Sequence, residues 1–229
     1  MKFTPYTINI LKNFYEINPG ICFTVGNVIK TMSASKSIIA SAVVDVKFLD
    51  QFCISDLARF LNTLSLFKDP ELEIDGSFIN ISDENSSVKY ILASEKTITR
   101  APTRAINFPD DPICDFVLTQ ADMQDVFKVV SVLGLKEVEI SGDGKFLVVK
   151  GIDLENRIQD SYKKEIGTTD KVYSAIFKLE NLNKLLPDDY NVKIAQIPTA
   201  DGDSVNVSYF DSKTNNIQYW IAVQKESKL

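Results

Sequence analysis

The sequence predicts an α+β protein of two similar domains, each assembled from repeated helix-plus-strands units whose helices lie on one face of a continuous sheet. Three observations carry this expectation. An amphipathic stretch from Asp56-Leu57 to Leu66 runs into the hairpin Leu72-Glu73-Ile74-Asp75-Gly76-Ser77-Phe78-Ile79. The same design recurs from Asp122-Met123 to Leu135, followed by Val138-Glu139-Ile140-Ser141-Gly142-Asp143-Gly144-Lys145-Phe146-Leu147. Between residues 94 and 112 the periodicity stops, and Pro102, Pro109 and Pro112 mark a connector. The 229 residues, 45% of them hydrophobic, suffice for two cores, placed at 1–108 (with most of the connector) and 109–229.

The elements follow in order. A first helix spans 7–17 and is closed by Asn18-Pro19-Gly20, where proline cannot continue the helix and glycine accepts a positive φ. Strand-like runs come at 21–25, 28–33, 38–46 and 48–53. A second helix begins near position 55, with Ser55 as its cap and Asp56 at its positive end. Strands at 72–75, 78–82 and 87–93 complete the first half. The second half repeats the order: strand 115–118, helix 121–133 capped by Thr119, and strands 137–141, 145–152 and 161–166. A final unit has strand 172–178, a short helix 180–186 and strands 190–195, 205–209 and 218–223. Asp75-Gly76, Asp143-Gly144 and Asp201-Gly202 lie between strands, where Asp-Gly favours tight hairpins.

Composition narrows the functional classes. The net charge of −6 argues against tight, charge-driven binding to nucleic acid or an anionic membrane, so any DNA contact is local or geometrical. No leader pattern and no apolar run of membrane-spanning length is present, which predicts a soluble intracellular protein. Cys22, Cys53 and Cys114 form no C-x-x-C pair and read as small buried hydrophobes in a reducing compartment. With no histidine, the commonest general base and metal ligand is missing, and no nucleophile has a partner; no enzymatic activity, metal or cofactor is expected. The acidic pairs Asp110-Asp111 and Asp188-Asp189 and the triplet Asp201-Gly202-Asp203 read as turn residues, and Ser141-Gly142-Asp143-Gly144 reads as a hairpin turn lacking the lysine of a phosphate loop.

The helices carry the remaining signal. At about 100° per residue, Leu57, Phe60, Leu61 and Leu64 share one face, with Arg59 and Asn62 opposite. Lys128 likewise points away from Met123, Val126, Phe127 and Val130, and Lys184 away from Leu182, Leu185 and Leu186. In the first helix Asn9, Lys12, Asn13 and Glu16 occupy one arc, and Ile8, Leu11, Phe14 and Tyr15 the rest. One basic residue therefore faces outward on each helix, either simply solvated or forming a weakly basic surface for phosphates.

The residues also carry a family resemblance. Thr7-Ile8, Ile10-Leu11-Lys12-Asn13-Phe14, Ile17-Asn18 and Gly20-Ile21 resemble the opening helix and turn of the sliding clamps, or DNA polymerase processivity factors, of T-even-like bacteriophages. Asp56-Leu57, Phe60-Leu61 and Leu64-Ser65-Leu66 resemble their second helix, and Phe108-Pro109 the end of their connector. The likeness is dense over the first 110 residues and sparse after Gly151, with Tyr219, Ile221 and Ala222 as its last traces.

The resemblance implies the DNA clamp fold and a homotrimeric ring whose helices line a central hole around duplex DNA. It implies that the ring tethers the replicative polymerase through a C-terminal peptide, is loaded by an ATP-dependent clamp loader, and assists phage late transcription in the cytoplasm of the infected bacterial host. Lys12 and Lys128 fall where the family carries basic residues facing the hole, and Ser131 stands where a second would be expected. Arg59 and Lys184 complete the DNA-facing set. Ile106 and Phe108, large apolar residues in a polar connector, are the candidates for a client-peptide pocket, or else pin the connector to a sheet. Tyr90 on strand 87–92 and Tyr162 on strand 161–166 are the candidates for the subunit interface, against the simpler reading that Tyr90 packs inside its own domain. The competing classes are a β-rich structural oligomeric phage protein without DNA function and an orphan hydrolase.

Overall fold

A computed structural model describes residues 1–103, 106, 108–156, 160–198 and 204–229. The chain forms two compact units, residues 1–103 and 104–229, dividing inside the expected connector. In the first unit, α1 (Pro5–Ile17) leads to β1 (Ile21–Phe23), β2 (Gly26–Met32) and β3 (Ile38–Phe48). Then β4 (Phe52–Ile54) leads through α2 (Leu57–Leu64) to β5 (Glu71–Asp75), β6 (Phe78–Ser82) and β7 (Ser87–Ile91). The second unit repeats this plan. There β8 (Cys114–Leu118) and α3 (Gln120–Val132) precede β9 (Glu137–Asp143), β10 (Phe146–Ile152) and β11 (Tyr162–Thr168). Next β12 (Val172–Lys178) and α4 (Leu179–Leu182) precede β13 (Tyr190–Pro198), β14 (Ser204–Ser212) and β15 (Ile217–Ala222). Among the described residues, each of the four α-helices is thus followed by at least three strands.

All the strand pairings within the units are antiparallel. In the first unit β2 pairs with β3, β1 with β4, and β5-β6-β7 form a three-stranded sheet with β7 at its edge. In the second, β11-β10-β9-β12 form one sheet with β11 at its edge, while β13 is flanked by β8 and β14, and β14 pairs with β15. Helix α1 packs on β2, β3 and α2; α3 packs on β10 and β11; α4 packs on β12.

The sequence explains these elements locally. The Thr4 hydroxyl accepts the Thr7 amide and Pro5 occupies the first turn, so α1 begins two residues before the expected start. Strand β3 alternates buried and outward residues from Ile38 through Phe48, so Phe48 closes β3 and does not open the next strand. Phe23, Phe48 and Phe52 pack with ring centroids 4.5 to 5.9 Å apart, each contributing about 2 to 3 kcal/mol of burial to the first core. In the second unit, Tyr190 lies edge-on to both Phe210 and Tyr219, and Phe177 edge-on to Phe210. Gly151 on β10 is required by close packing, because a Cβ there would lie 2.5 Å from Val130 of α3.

Several sequence expectations are corrected. Asp56, not Ser55, caps α2: its carboxylate accepts the Arg59 amide at 2.8 Å. In α1, Asn13 is buried and Tyr15 exposed, the reverse of the expected arcs. The last helix ends at Leu182, and Lys184 lies in the turn that follows. Cys22 and Cys53 are disulfide-bonded, because the β1–β4 register sets them opposite each other; 31 residues of separation left no local signal. Cys114 is the buried free thiol expected, and burial pushes it up to about 11. Gly76 and Gly144 adopt positive φ in the expected hairpins, whereas Asp201-Gly202-Asp203 lies outside the described residues.

Candidate nucleic-acid interface

The outward helix faces are assembled from the same periodicity that buries the inward ones. In α1, Ile10, Leu11, Phe14 and Ile17 are buried and Lys12 is exposed. In α2, Leu57, Phe60 and Leu64 are buried while Arg59 and Asn62 are exposed. In α3, Met123, Val126 and Val130 are buried and Lys128 is exposed. Lys184 is half-buried beyond the end of α4.

The acids on the helices are partly silenced. Lys164 of β11 reaches Asp122 and Asp125 of α3 at 2.9 and 2.7 Å. Hydrogen bonds to Asp125 and then Asp122 raise the Lys164 ammonium above its ordinary range. The Thr119 hydroxyl, which accepts the Asp122 amide, also donates to the Asp122 carboxylate. An exposed pair of this kind contributes little stability, but it cancels negative charge on the helix that carries Lys128. Asp56 is likewise occupied as the α2 cap.

Ile106 is half-buried and stands between residues outside the described set. The Phe108 ring lies 5.9 Å from Tyr209, which lies 5.3 Å from Trp220 across the β14–β15 register. These rings occupy the face of β14 and β15 opposite the buried Phe210 and Tyr219. The Trp220 Nε1 is buried with no hydrogen-bond partner among the described residues.

Tyr90 is 5% exposed within its own unit. Its hydroxyl donates to the Asp56 carbonyl at 3.1 Å, and its ring meets Phe60 edge-on at 5.2 Å. Around it, β7 presents Val88 and Ile91 outward. Tyr162 is half-buried at the start of β11. Sequence periodicity identified the helix faces, but the Tyr209–Trp220 stack depends on strand register and the Lys164 bridge on helix-to-strand packing, so neither left a local pattern.

Comparison with known proteins agrees with this architecture. Residues 2–99 match the family model of the DNA polymerase processivity factor. The sliding clamp of Vibrio phage KVP40 is 29% identical over 201 residues, covering 85% of this chain and 90% of that protein. The sliding clamp of Escherichia phage RB69 is 28% identical over 239 residues, covering 99% of this chain and 98% of that protein. Among solved structures, A. fulgidus PCNA bound to the C-terminal region of FEN-1 superposes with a TM-score of 0.66 at 11% identity, over 96% of both chains. The chain therefore has the DNA clamp fold. Within that class, the family model and the relatives support a sliding clamp of the T-even-like phages.

Proposed function

We propose that this chain forms a homotrimeric ring that encircles duplex DNA and tethers the replicative DNA polymerase in the cytoplasm of the infected bacterial host. The observation that carries the reading is the fourfold helix-then-three-strands plan with the outward cations Lys12, Arg59 and Lys128 on three of its helices. A ring retained by topology needs mobility on DNA and no deep affinity well, which suits scattered cations on a chain of net charge −6. Lys12, Arg59, Lys128 and Lys184 contact phosphates alone, so binding is independent of sequence.

Ring closure joins the β7 edge of one subunit to the β11 edge of the next, a heterologous contact that closes at three copies. Tyr162 lies in that joint, and Tyr90 supports β7 from within. Client proteins such as the polymerase insert a C-terminal peptide beside Ile106 and Phe108, with the Tyr209–Trp220 stack as the platform. An ATP-dependent clamp loader opens the ring, and late-transcription factors share the client surface.

Loader- and ATP-dependent retention on nicked circular DNA tests the reading. The protein should stay on circles and be lost when the DNA is cut, because only a topological link responds to ends. Equal retention on linear and circular DNA contradicts it and favours a structural oligomer.

A further inference from the structure

Cys22 and Cys53 face each other across β1 and β4, a two-stranded pair of three residues each. The two cysteines differ in burial. Cys53 is 3% exposed, whereas Cys22 is partly exposed and lines a cavity of about 330 Å³ in the first unit. Lys30, Val28 and Thr31 of β2 and residues 99–103 line the same cavity, and the Thr31 hydroxyl is buried there with no hydrogen-bond partner among the described residues. Cys22 therefore borders the space from which a small disulfide can approach, whereas Cys53 is buried behind it.

The surroundings give the bond leverage. The Cys53 carbonyl accepts the Ala93 amide just beyond β7, and Asp56, three residues after Cys53, caps α2. Pro19, just before β1, accepts the Leu57 amide of α2. A covalent tie between β1 and β4 therefore joins the cavity wall to the segment that carries α2. Without the bond, two three-residue strands are held by few ladder hydrogen bonds and open more readily.

We propose that Cys22 and Cys53 form a thiol–disulfide switch, with Cys22 attacking low-molecular-weight disulfides at the cavity, Cys53 resolving the adduct, and closure locking the β1–β4 wall. The Cys22 thiolate bonds to one sulfur of the small disulfide, whose S–S bond breaks; the departing thiolate takes up the proton that Cys22 released. Cys53 then loses its proton and attacks the Cys22 sulfur, expelling the second small thiol. Two protein thiols are oxidised by two electrons, and one small disulfide is reduced to two thiols. In a reducing cytosol the pair rests open, and it closes when such disulfides accumulate.

The test treats the reduced, folded full-length chain with oxidised glutathione and maps the products after trypsin digestion. The expected result is a cross-link between peptides 13–30 and 48–59, reversed by dithiothreitol, with Cys114 unmodified. Cys53→Ser should accumulate a glutathione adduct at Cys22, while Cys22→Ser should leave the buried Cys53 unmodified. Amide exchange at residues 21–23 and 52–54 should be about tenfold slower in the oxidised form. A bond that survives excess dithiothreitol in the folded chain, a Cys53→Ser variant that stays unmodified, or identical exchange in both states overturns the proposal.

Discussion

The Arg59 guanidinium lies 5.1 Å above the centre of the Tyr90 ring. This contact joins the outward cation of α2 to the edge strand β7, so the candidate DNA surface and the candidate subunit edge share one side-chain stack. The Tyr90 hydroxyl continues the link to the Asp56 carbonyl at the α2 cap. Tyr90→Phe should keep the stack and cost about 1 kcal/mol for the lost hydrogen bond. Tyr90→Ala should cost about 3 to 5 kcal/mol through the cavity it leaves. Urea denaturation of both variants measures this; a neutral Tyr90→Ala refutes the core placement.

The four cations are expected to act together and without regard to base sequence. Changing Lys12, Arg59, Lys128 and Lys184 to alanine should impair loading and processive synthesis equally on different templates. The salt dependence of DNA binding should flatten by about one logarithmic unit of slope per phosphate contact removed. Unchanged processivity in the quadruple variant removes these residues from the DNA surface.

Phe108→Ala should weaken binding of a polymerase C-terminal peptide about tenfold, an energy of about 1.4 kcal/mol, by removing one ring beside the Tyr209–Trp220 pair. The oligomeric state should not change. Isothermal titration with the free peptide tests this, and an unaltered affinity places the client pocket elsewhere.

Acid stability has an identifiable source in Asp188. The group is 6% exposed, and burial opposes its ionisation, but donors from Ser212, Thr214 and the Asp189 amide outweigh burial and hold its carboxyl at about 2. The Asn215 side chain donates to Oδ2, the oxygen that Ser212 and Thr214 also reach, while the Asp189 amide donates to Oδ1. A carboxylate held below its ordinary 3.8 stabilises the fold above that value, and the contribution disappears as pH falls through the folded value. The depression corresponds to about 2 kcal/mol. Asp188→Asn should lower stability at neutral pH and remove this acid dependence between pH 4 and 2. Parallel denaturation curves for the two proteins across that range contradict the assignment.

Much of the fold was legible because it repeats. Periodicity placed four helices and most strands, Asp-Gly turn residues placed the hairpins at Gly76 and Gly144, and the outward positions of Lys12, Arg59 and Lys128 follow from the helical arithmetic. What failed depended on distant partners or competing ends. Asp56 displaced Ser55 as the α2 cap because only its carboxylate reaches the Arg59 amide. The β1–β4 register that pairs Cys22 with Cys53 is set by tertiary packing, so composition favoured free thiols. Tyr90 was legible as an aromatic on an edge strand, but the side of the strand it faces is fixed by Phe60 and Asp56, which lie 30 or more residues away in sequence.

The central claim is a closed ring of three copies, and the solution mass tests it most directly. Sedimentation equilibrium of the full-length chain at micromolar concentration should give three times the chain mass, with smaller species appearing only on dilution. A chain that remains monomeric across that range contradicts the ring.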